Sequence, residues 1–179
     1  MSASGLPLGG IVHYNESMRY TDKRYVQGEY CAQHLNPVWR EKSDFIILAF
    51  LETKDNHNHW EQMWAKKTGE KTFILCCIPF FTYGLNLGDE VACDSNHQIQ
   101  RVLSGSGNLT YRIWFKDVTD PTTKARVESK TKEVGGVHEW SSENLLAVSI
   151  PGDKQIMFEQ FLSHETSSGI IFEEGSREV

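Results

Sequence analysis

The chain has 179 residues, of which 39% are hydrophobic, 11% aromatic and 23% charged, and its formal net charge is -6. That composition excludes disordered and fibrous classes, and no run approaches the roughly 20 apolar residues that cross a bilayer. Lys and Arg match Asp and Glu at five each over residues 1–50, then fall to seven against nine over 51–120 and six against ten over 121–179; acidity gathered toward the C-terminus repels phosphate and disfavours a nucleic-acid ligand.

Residues 1–43 are predicted to form an N-terminal extension. Met1 to Pro7 lacks the basic start and apolar core of a signal peptide, so the expected residence is cytoplasmic. The Tyr14 to Tyr30 run has no clean period. Met18, Tyr20, Tyr25 and Tyr30 are expected to cover part of a β core, with base stacking beside Arg19, Lys23 and Arg24 as the alternative.

Residues 44–108 are predicted to be a β-hairpin region. Asp44 to Glu52 is a strand that is apolar on both parities, which suits a covered position. Lys54 to Trp60 reads as a polar loop. His57 and His59, with Glu61 or Asp55, are its candidate metal ligands, but no third ligand has motif spacing, and no metal or other cofactor is expected. Gln62 to Lys67 and Lys71 to Ile78 form a hairpin around Gly69. Glu90 to Asp94 and Gln98 to Leu103 form a second around Ser95 to His97. Asp89 after Gly88 is read as a turn residue, and Ser104 to Asn108 as a turn rather than a phosphate loop, because a strand follows. The cysteines at 31, 76, 77 and 93 have no repeating spacing; Cys76 and Cys77, placed in a strand, would point to opposite faces, and all four are expected to be reduced.

Residues 109–179 are predicted to be a ferredoxin-like β-α-β-β-α-β unit packed on the hairpin region, in an α+β fold that is mainly antiparallel and forms one compact domain. Leu109 to Lys116 alternates one buried and one wetter face. Asp120 and Pro121 open a helix to Glu133, stopped by Gly135 and Gly136. Val137 to Trp140 and Leu145 to Ile150 pair across Ser141 to Asn144. A second helix over 152–164 buries Phe158, Phe161 and Leu162, with Ile156 off its stripe, and Ile170 to Glu173 is the last strand.

Pro79, Phe80, Phe81, Gly84, Gly88, Asp89 and Val91, then Arg101, Val102, Ser106, Gly107, Thr110 and Arg112, resemble a bacterial family catalogued as a domain of unknown function. The likeness continues through Leu145 to Val148, Ile150 and Pro151, and spans about residues 44–175. It brings no catalytic residues. It implies a link to immunity proteins, whose partner is a cognate bacterial toxin; an acidic chain suits a basic nuclease. The expected contact residues are the carboxylates of Asp94, Glu159, Glu165, Glu173 and Glu174, with Trp60, Trp64 and Tyr83 as aromatic anchors. Two other classes stay open: acid-base catalysis by His138 with Glu139 or Asp89 with His97, and nucleic-acid binding by the N-terminal run.

Overall fold

The computed structural model describes residues 29–116 and 120–176. It is an α+β fold of two sheets. The first contains β1 (Tyr30–Ala32), β2 (Phe45–Lys54), β3 (His57–Lys67), β4 (Thr72–Leu75), β5 (Glu90–Cys93) and β6 (Ile99–Ser104). Strand β3 is its spine: β2 runs antiparallel along one edge, while the other edge carries β1 in parallel and then β4 antiparallel. From β4 the sheet continues antiparallel through β5 to β6. A single parallel bridge, Leu48 to Gln98, brings the start of β6 back beside β2, so the sheet curls into a barrel fastened at one point. Ile47, Ala49, Met63, Ala65, Phe73, Leu75, Val91 and Cys93 fill it.

The second sheet has the antiparallel order β10-β7-β9-β8, where β7 is Asn108–Phe115, β8 is Val137–Ser142, β9 is Leu145–Pro151 and β10 is Ile170–Glu174. Helix α1 (Pro121–Glu133) lies between β7 and β8 in the chain, and α2 (Gln155–Glu165) between β9 and β10. Both cover one face through Tyr111, Ile113, Phe115, Val127, Phe158 and Leu162. The Asp120 carboxylate accepts the Thr122 N–H, Pro121 needs no N–H in the first turn, and Gly135 follows the helix at φ 80°, a sequence of start and stop signals that sets α1 at the predicted limits.

Three expectations are corrected. Lys54 to Trp60 is a tight hairpin rather than a loop: Asp55 and Asn56 both have positive φ, 51° and 61°, and β3 begins at His57. The strand expected to reach Ile78 ends at Leu75, which leaves Cys76 and Cys77 just beyond it; both are buried free thiols. The face of β7 expected to be wet is covered at Thr110 and Arg112, because the segment after Ile78 and the chain beyond β10 pack on it. Thr110 Oγ1 donates to Asn86 Oδ1 at 2.9 Å, the Thr110 amide donates to Ser176 Oγ at 2.7 Å, and Arg112 donates to the Thr82 carbonyl.

Candidate functional site

The joint between the sheets is built from the Ile78 to Asp89 segment. Ile78, Phe80 and Leu87 pack on Ala147 of β9. Glu61 of β3 and Glu139 of β8 face each other across this joint with His34 between them, and all three are almost fully buried. His34 Nδ1 lies 2.7 Å from Glu139 Oε2 and Nε2 lies 3.1 Å from Glu61 Oε1. Two carboxylate partners require both ring nitrogens to donate, which defines an imidazolium. The ring stacks on Phe80 with 4.0 Å between centroids.

Each carboxylate oxygen is bonded within the chain. Glu139 Oε1 accepts the amides of Val38 and Ile78 at 3.0 and 2.9 Å. Glu61 accepts the amides of Phe80, Phe81 and Thr82 and the Thr82 hydroxyl, the last at 2.6 Å. Pro79, which has no N–H, stands where the run of donors passes from Glu139 to Glu61. Burial alone would push the His34 pKa down; the Cys77 sulfur and the hydrogen-bonded carboxylates of Glu139 and Glu61 outweigh it and hold the ring well above the ordinary histidine value. Since burial raises the Cys77 thiol and keeps it neutral, the two carboxylates supply the compensating charge. Burial likewise pushes Glu61 up, but the His34 charge and its hydrogen bonds bring it down to about 2. With each carboxylate oxygen bonded within the chain, this cluster is a structural clamp.

Two further knots finish the joint. Asp89 accepts the Asn86 amide at 2.8 Å and the Ser106 amide at 2.7 Å, which makes it the predicted turn residue rather than a base. Arg112 donates to Glu173 at 3.1 Å and lies 4.1 Å over the Tyr83 ring. Several of the residues that carried the family resemblance, among them Phe80, Phe81, Asp89, Thr110 and Arg112, therefore hold the joint together.

The surface beside the joint is open. Beyond the Leu48 to Gln98 bridge, β2 and β6 part, and Ala49, Phe50, Thr82 to Leu85 and Ile99 to Val102 line a cavity of about 170 Å³. Phe50 is 50% exposed, Tyr83 36% and Val102 38%. Arg101 is exposed at the same seam, with no ion-pair partner among the described residues.

Most of the predicted contact residues are engaged within the chain. Asp94 accepts the amides of Asn96 and Gln98 in the β5–β6 turn. Glu159 accepts the Tyr111 hydroxyl at 2.8 Å, and Glu165 pairs with Arg126 at 2.7 Å. Glu173 holds Arg112 and the Tyr83 hydroxyl, and Glu174 lies 3.5 Å from Gln155. Trp60 and Trp64 are half-buried: Trp60 donates to Glu29 and packs edge-on against Phe50, while Trp64 donates to the His34 carbonyl beneath the Arg40 guanidinium. Tyr83 alone of these lines the seam. The acid-base pairs are not assembled either. His138 faces Glu128 at 3.5 Å while Glu139 turns inward, and His97 packs on Phe45 and Phe73, away from the Asp89 turn. Glu61 belongs to the clamp, and no group of three potential ligands converges as a metal site among the described residues. The expectation for Met18, Tyr20, Tyr25 and the Tyr30 side chain lies outside what the structure describes, as does base stacking by Arg19, Lys23 and Arg24.

This geometry defines an α+β protein with mixed sheets, a sealed polar joint and an open barrel seam. The chain belongs to the family described as Domain of unknown function (DUF4265), whose model matches residues 61–171. Its fold is similar to that of a hypothetical protein from Neisseria gonorrhoeae known from a crystal structure, with a TM-score of 0.61 at 21% identity, covering 73% of this chain and 92% of that one. No curated protein matches it.

Proposed function

We propose that the chain is a protein-binding module of the immunity type, which neutralises a cognate bacterial toxin by covering its active site or substrate groove. The observation that carries the binding role is the β2–β6 seam, where two strand edges part and Phe50, Tyr83 and Val102 stay exposed. Exposed aromatic side chains beside an unpaired strand edge are the usual elements of peptide and protein recognition. The toxin, with a basic nuclease as the charge-compatible kind, comes from the family resemblance and the net charge of -6. In this reading the half-buried carboxylates Glu159, Glu165, Glu173 and Glu174 shape the field around the interface and set association rate and salt dependence. We also assign the second sheet to the ferredoxin-like class, an assignment supported by its strand order β10-β7-β9-β8 and by the helices on one face.

The test is co-expression with the product of the adjacent gene, scored by growth and by calorimetry of the purified pair. Growth protection with a stoichiometric complex is the expected result. A neighbouring product that neither harms growth nor binds overturns the immunity reading.

A further inference from the structure

The barrel seam has the features of a strand-binding groove. An isolated parallel bridge joins Leu48, within β2, to Gln98, just before β6, and beyond it the two strands separate, so one edge of each faces a gap. Among the described residues strand β6 pairs along its length with β5 alone, through a register broken twice, between Glu90 and Val91 and between Ala92 and Cys93; such bulges turn a strand and re-aim its side chains. From Gln100 to Ser104 all of β6 is exposed, including Val102 and Leu103. An exposed edge of this kind is normally blunted by charge or cover, and here its one charged residue is Arg101. The cavity of about 170 Å³ is close to an apolar void of about 150 Å³ that takes a benzene ring. It therefore admits one side chain.

We propose that the seam receives an extended segment of the partner protein, which adds a strand along β6, places one aromatic or large aliphatic side chain against Leu85, Ile99 and Val102, and sets a neighbouring carboxylate on Arg101. The proposal deepens the protein-binding reading above. Charge selects the occupant: Arg101 is exposed and without an ion-pair partner among the described residues, so the segment that fits is locally acidic even where the partner as a whole is basic. Main-chain pairing provides binding strength, while the cavity and the guanidinium provide selectivity.

The probe is a capped peptide of about eight residues alternating Thr and Val around one Phe-Glu pair, titrated into the full-length, isotopically labelled chain and followed by amide chemical shifts. The expected shifts fall on residues 99–104 and on Phe50 and Tyr83. Replacing Glu by Lys in the peptide, or making Arg101→Glu in the protein, weakens binding at least about tenfold, and Phe50→Glu does the same, each variant keeping the wild-type melting curve. Three results overturn the proposal: no β6 shifts at millimolar peptide, indifference to both charge changes, or β6 amides already contacted without peptide, by residues 1–28 or by a second copy as protein concentration rises. The adjacent-gene product separates this proposal from the reading it rests on. A toxin complex untouched by Arg101→Glu and Phe50→Glu sinks the seam and leaves immunity standing. Peptide binding without a toxin partner does the reverse.

Discussion

His34 is held by two carboxylates that only its double protonation can satisfy, and this makes stability depend on pH in both directions. Its pKa is raised in the folded state, so its contribution is complete below the unfolded value of about 6.5 and is lost as pH climbs through the folded one. The Glu61 pKa is lowered to about 2; its contribution is complete above the unfolded value of about 4.5 and is lost as pH falls toward 2. Urea midpoints from pH 3 to 10 should therefore peak between about 4.5 and 6.5, with an alkaline limb that His34→Gln abolishes. A midpoint that stays level from pH 7 to 10 would contradict the imidazolium assignment. His34→Ala should cost about 3–5 kcal/mol at neutral pH, because it leaves two carboxylates buried without their cation. At Gly88, φ is 87° and an added Cβ would stand 3.1 Å from Ser106 Cβ and 3.3 Å from the Trp39 ring. Gly88→Ala should lower the chemical-denaturation stability by about 2 kcal/mol through left-handed strain and crowding together.

At the scale of elements, legibility followed the range of the forces. Helix α1 could be read from the sequence because its cap, its first-turn proline and its terminal glycine are neighbours in the chain. The β5–β6 hairpin was readable for the same reason. The β2–β3 turn was not: His57 to Trp60 looks polar, yet Asp55 and Asn56 tolerate the left-handed region and close a two-residue connection. Asn56→Gly should hold or slightly raise the thermal midpoint, whereas Asn56→Val should cost about 1–2 kcal/mol by unfolding titration. Equal effects from both substitutions would argue against the turn. The clamp left no local signature, since His34 finds Glu61 27 positions away and Glu139 105 positions away. Likewise, nothing in the period of β6 announces that its edge is left beside an opening.

For the whole molecule, the joint decides whether the two sheets behave as one unit. Phe80 stacks on His34 and belongs with Ile78, Leu87 and Ala147 to the cluster that bridges them, so the wild-type chain should unfold in a single calorimetric transition. Phe80→Ala should cost about 3–5 kcal/mol and separate the barrel melt from that of the helix-covered sheet. One sharp, merely shifted transition in that variant would show that coupling runs elsewhere.

The 105 positions between His34 and Glu139 also set a timetable for synthesis. At about 5–20 residues per second, a ribosome needs about 5–20 s to deliver the second carboxylate after the histidine. Through that interval β1 can hold its short parallel register on β3, and His34 its contact with Glu61, while the Glu139 arm of the clamp stays open. Strand β1 is thus made early among the described elements and secured late, which places the nascent chain's window for chaperone capture ahead of the arrival of β8.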